Sequence, residues 1–157
     1  IVNRYCAKAR HVAFVDLHTG LGPYGHGELI SMGRPGVGQY DRNCAWYGPA
    51  VTSPEAGNST SAKLVGLMEQ ALARMLPDAE VTSIAIEYGT YPTDEVLESV
   101  MADNWVHLRG DLASPLGRAI KARIRRAFYP DEDDWKELVA LKARLVFRRA
   151  LAGLAAS

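Results

Sequence analysis

Two stretches of the chain are almost continuously apolar, and each delivers ionisable side chains into a glycine-containing loop. The first is His11-Val12-Ala13-Phe14-Val15-Asp16-Leu17-His18-Thr19-Gly20. Read as a buried strand, it alternates its side chains between faces, so Asp16 and His18 point one way while Val15 and Leu17 point the other. The second, Val81-Thr82-Ser83-Ile84-Ala85-Ile86-Glu87-Tyr88-Gly89-Thr90-Tyr91-Pro92, is predicted as a strand buried on both faces with Glu87 at its exit. If the two run parallel in one sheet, Glu87 and His18 emerge on the same rim. Gly27 to Gly33 is predicted as a further short strand. The segment between it and His18, Thr19-Gly20-Leu21-Gly22-Pro23-Tyr24-Gly25-His26-Gly27, is predicted as a loop beyond a strand's carboxyl end, where open α/β sheets bind ligands.

Helical periodicity takes over around these strands. Gly33 to Ser61 holds most of the turn formers and is predicted to be irregular. Ser59, Thr60 or Ser61 then caps a predicted helix through about Met75, with Leu64, Leu67, Met68, Ala71, Leu72 and Met75 on one face and Pro77 beyond it. Thr93 or Asp94 begins another, ending near Gly110, and Pro115 begins a third that runs through Phe128. Asp131 starts the last, from Trp135 to about Leu154, with acidic residues in its first turn and Arg144, Arg148 and Arg149 toward its end, as the helix dipole favours. Strands interleaved with helices predict an α/β fold: part of a mixed, mostly parallel sheet flanked by helices, with a helical carboxyl-terminal part.

Composition narrows the function classes. The 157 residues, 48% of them hydrophobic, suffice for one domain with a sizeable core. Eighteen Lys and Arg balance eighteen Asp and Glu, which gives no reason to expect nucleic acid or an anionic membrane as a partner. The basic run Arg118 to Arg126 is interleaved with Ala and Ile and reads as a solvated helix face with local ion pairs. No apolar run approaches the roughly 20 residues of a membrane span, and the cytoplasm is the compartment favoured. Cys6 and Cys44 have no metal spacing and read as ordinary residues.

A histidine ligand beside a glutamate is the pairing used in metal-assisted hydrolysis, where the carboxylate takes the proton of an activated water. Asp16-Leu17-His18-Thr19-Gly20 with Ile86-Glu87-Tyr88-Gly89-Thr90 resembles the carboxyl-terminal half of the catalytic domain of the zinc carboxypeptidase superfamily, which includes the succinylglutamate desuccinylase and aspartoacylase deacylases. The nearest likeness is to a bacterial branch carrying His-Thr-Gly-Leu-Gly-Pro-Tyr-Gly at this place, and it extends to Asn104-Trp105 and Ala127-Phe128-Tyr129-Pro130. The resemblance implies a zinc cofactor with His18 as its last ligand, Glu87 as general base and proton shuttle, and Asp16 as a residue that orients a ligand imidazole. The family's remaining two ligands come from a His-x-x-Glu motif, which is absent: Phe14, Leu21, Leu29 and Gly110 follow His11, His18, His26 and His107 at that spacing.

The chain also opens on Ile1-Val2-Asn3-Arg4, without Met. Residues 1–157 are therefore expected to be a single domain forming the later half of a larger metallohydrolase catalytic domain. The complete protein is expected to be an amide hydrolase acting on a peptide or acyl amino acid, and this chain alone to be inactive and to associate with itself or with a complementary amino-terminal fragment. Arg34, Arg42 and Tyr91, predicted to lie on loops bordering the strand ends, are candidates to hold substrate. The alternative from another class is a non-catalytic domain that keeps the fold and binds a ligand or partner.

Overall fold

A computed structural model describes residues 2–157, with the elements α1 (Val2–Tyr5), β1 (His11–Gly20), β2 (Gly27–Ile30), α2 (Gly38–Tyr47), α3 (Met68–Met75), β3 (Glu80–Gly89), α4 (Thr93–Arg109), α5 (Pro115–Phe128) and α6 (Asp133–Ala156). The strands form a mixed α/β sheet of order β1-β3-β2. β1 and β3 run parallel: Glu80 N–H donates to Arg10 O near their starts, and the Thr90 hydroxyl reaches Gly20 O beyond their ends. β2 opposes β3, since Gly89 pairs with His26 while the Asn43 side chain bonds Ser31 Oγ and Ser83 O. β3 is central and buried along most of its length. β1, in contrast to the buried strand predicted, has β3 as its one neighbour in the sheet and leaves Leu17 50% exposed.

The chain divides into two compact units, the first comprising residues up to Leu17, Glu28–Ile86 and Lys142–Ser157, the second His18–Gly27 and Glu87–Leu141. In the first, Leu72 and Leu76 pack with Val81 and with Val2, Cys6, Val12 and Phe14. α2 occupies a stretch predicted to be irregular. It attaches through polar side chains: Asn43, fully buried, donates to Ser31 Oγ at 2.9 Å and Ser83 O at 2.8 Å, and Gln39 donates to Ser83 Oγ at 2.7 Å. Such a helix has no apolar stripe for periodicity to detect. α3 begins at Met68, later than predicted, because the residues before it are held elsewhere. The Thr60 backbone and hydroxyl both donate to the buried Glu28 carboxylate, which also accepts from the Thr52 hydroxyl at 2.5 Å, and Gly66 turns the backbone with φ 80°. These hydrogen bonds favour the charged form of Glu28 and hold its pKa below the usual value despite burial.

Glu69 on α3 behaves in the opposite way. Burial, reinforced by the charge of Asp16, pushes its carboxyl from 4.5 up to about 7, although a hydrogen bond with Ser83 pulls the other way. The folded chain therefore binds a proton at Glu69 that the unfolded chain releases, a stabilising contribution complete below about pH 4.5 and lost as the pH rises toward 7. Thermal unfolding of the wild type and Glu69→Gln is expected to coincide near pH 4.5, with the variant melting several degrees higher at pH 8. Identical melting at both pH values would remove the basis for this reading.

In the second unit, a cap marks the start of α5 and a glycine the end of α4. Ser114 Oγ accepts from Gly117 N at 2.9 Å with Pro115 in the first turn, and α4 ends at Gly110. The two helices are joined by Lys121–Asp103 and Arg123–Glu98 ion pairs, each at 2.7 Å. The first turns of α6 anchor to the exit of β3, where Trp135 Nε1 donates to Gly89 O at 2.9 Å and the Tyr88 hydroxyl to Val139 O at 3.2 Å. Among the described residues no helix is long and apolar enough to cross a membrane.

Candidate active site

β1 ends on His18-Thr19-Gly20, and the loop that follows crosses the exit of β3. A strand end can be crossed this closely only where it lacks a side chain. Gly89 provides that place: its Cα faces the carbonyls of Gly22 and Pro23 with no room for a Cβ. Its N–H donates to His26 O at 3.0 Å and its carbonyl accepts from Gly25 N at 2.9 Å. Gly20, with φ 138°, lies against the Phe128 ring.

Glu87 is drawn into the same turn, its Oε1 accepting from Leu21 N at 3.0 Å. His18 and Glu87, on different strands, both line one cavity of about 360 Å³. Leu21 and Phe128 form part of its wall, and Val96, Leu97 and Val100 of α4 form another, with Thr19 and Thr93 completing it. The hydroxyls of Thr19 and Thr90 donate at 2.6 Å to the last carbonyls of α5, Phe128 O and Ala127 O, so the exits of both strands are tied to the end of that helix. The predicted rim thus holds its histidine and its glutamate together.

The other sequence candidates are not among the residues that line this cavity. Asp16 belongs to the first unit, where its charge acts on Glu69. Arg42 is on α2 and not on a loop; its guanidinium binds Glu80 Oε2 at 3.1 Å, Thr82 Oγ1 at 3.0 Å and Val81 O at 3.2 Å, holding the start of β3. Arg34 is 77% exposed and lies 3.7 Å from the Glu55 carboxylate. Tyr91 is in the second unit but lines a separate small cleft, where the Arg126 guanidinium stands over its ring at 5.7 Å. The α4 residues of the wall carried no distinguishing signal, because a helix face that lines a cavity has the same spacing as one that packs in a core. The Leu21 N–H, a main-chain donor, leaves no trace in a side-chain pattern.

A catalytic zinc takes three protein donors and a water. Among the described residues no group of three or more His, Cys, Asp or Glu side chains is placed to hold a metal ion. His18 has the chemistry of one ligand and Glu87 that of a proton carrier beside it, but these residues fall short of a full ligand set. No curated protein and no solved structure matches the chain. A family model described as "Protein of unknown function (DUF2817)" matches residues 1–142, and the chain belongs to that family.

Proposed function

We propose that the chain carries the His18 and Glu87 part of a metal-dependent amide hydrolase site of the zinc carboxypeptidase and aspartoacylase type, with peptides or acyl amino acids as substrates. The observation that carries this reading is the convergence of His18 and Glu87 from the exits of parallel neighbouring strands onto one cavity. The remaining metal donors come, in this reading, from outside the described residues. A bound metal would supply Lewis acidity toward the amide carbonyl and water.

The chain's own contribution is positional and protolytic. His18 offers an imidazole at the cavity wall. Glu87 takes a proton from water at its carboxylate and returns it to the leaving nitrogen. The Leu21 N–H, donating to Glu87 Oε1 at 3.0 Å, fixes the direction in which that carboxylate faces.

The test is elemental analysis of the complete protein and its His18→Ala variant. The wild type is expected to carry close to one zinc per chain, and the variant to lose most of it, since losing one of three ligands forfeits a large part of the binding free energy. If neither protein holds metal, and the wild type cleaves no amide, the metal-free binding domain becomes the better reading.

A further inference from the structure

Beside His18, Glu87 and two threonines, the cavity is walled by apolar side chains. Leu21, Val96, Leu97, Val100 and Phe128 present hydrocarbon, and among the described residues no lysine or arginine lines it. Its volume of about 360 Å³ falls in the range of pockets that enclose a small ligand. A substrate carboxylate placed against those hydrocarbon walls would give up hydration and add its charge to that of Glu87, with no lysine or arginine in the lining to offset either cost. An aliphatic or aromatic group would instead remove its own surface, and that of exposed Leu97 and Val100, from water.

From this lining we infer that the cavity takes an apolar group, and that the substrate unit beside Glu87 is an aliphatic or aromatic residue and not an acidic one. The inference rests on the proposed amide hydrolase for its chemistry, but the preference itself is a property of the walls. It separates two branches of the proposed function: a deacylase for acidic amino acids needs a lysine or arginine to hold the side-chain carboxylate, and among the described residues none lines this cavity.

Two probes alike except for the side chain, N-acetyl-leucine amide and N-acetyl-glutamate amide, test it by titration into the 157-residue chain. The readout is the NMR shift of the His18 and Phe128 rings. The leucine probe is expected to bind at least about tenfold more tightly, the scale on which apolar pockets discriminate. Val100→Arg, a change at a position 41% exposed on a well-formed helix, is expected to reverse the order by placing a cation in the wall. A circular dichroism spectrum matching the wild type confirms that the variant folds. In parallel, the complete protein is assayed for hydrolysis of N-acetyl-leucine and N-acetyl-glutamate. Leucine-probe binding without turnover of either substrate keeps the apolar site and removes the hydrolase reading. Preference for the glutamate probe, or no ring shift with either, overturns the inference whether or not the protein hydrolyses amides.

Discussion

Glu87→Gln is expected to lower amide turnover by the complete protein by about 10²- to 10⁴-fold, the range in which general acid–base groups contribute. The substitution isolates the proposed proton-transfer role because it leaves the local structure in place. A glutamine retains a carbonyl oxygen that can accept from Leu21 N, as Glu87 Oε1 does at 3.0 Å, so the loop after His18 keeps its anchor. It cannot accept a proton from water. Metal content and melting temperature should therefore match the wild type while kcat falls. Glu87→Ala is the instructive contrast, since it removes both the base and the acceptor and should loosen the loop as well. Metal loss in the glutamine variant would show Glu87 to be a ligand; turnover within threefold of wild type would show it to be no base at all.

Gly89→Ala is expected to destabilise the second unit by about 3 kcal/mol, at the upper end of ordinary overpacking costs. A Cβ at this position would meet the main-chain carbonyls of Gly22 and Pro23. Relief by a side-chain rotation is not available, because the atoms in the way are backbone. Nor can the strand retreat easily, since the Gly89 carbonyl accepts from both Gly25 N and Trp135 Nε1 at 2.9 Å, and its N–H is bonded to His26 O. Urea unfolding monitored by tryptophan fluorescence gives the number, and a loss below 1 kcal/mol would mean that the loop moves aside at little cost. The variant should also bind ligands in the cavity more weakly, because the displaced loop carries Leu21.

The sequence made some elements legible and hid others for identifiable reasons. α5 was bounded correctly, Pro115–Phe128, because Ser114 and Pro115 are a strong start signal, and α4 stops where Gly110 places it. β3 declared itself through a run of buried β-branched residues, and its parallel pairing with β1 placed Glu87 and His18 on one rim, as the two strand patterns predicted. α2 did not declare itself, since Asn43, Gln39 and Arg42 bind it to the sheet by hydrogen bonds whose partners are distant in sequence. For the same reason Arg42 was predicted on a loop: its partners Glu80, Val81 and Thr82, which tie α2 to the start of β3, become visible only once the chain has folded. The apolar wall of α4 was legible as a helix face but not as part of a cavity.

The end of α5 is unusual in where its carbonyls go. The last carbonyls of a helix lack partners within it, and such ends fray on their own. Here Ala127 O and Phe128 O receive the hydroxyls of Thr90 and Thr19, one from just beyond the exit of each parallel strand or within it. Fraying of this helix end and parting of the strand exits are consequently expected to be a single cooperative opening. Amides flanking both exits should exchange with solvent at a common rate, in the manner of one small folding unit. α5 is thereby a remote handle on the cavity: whatever grips or loosens its final turn sets how often His18 and Glu87 separate.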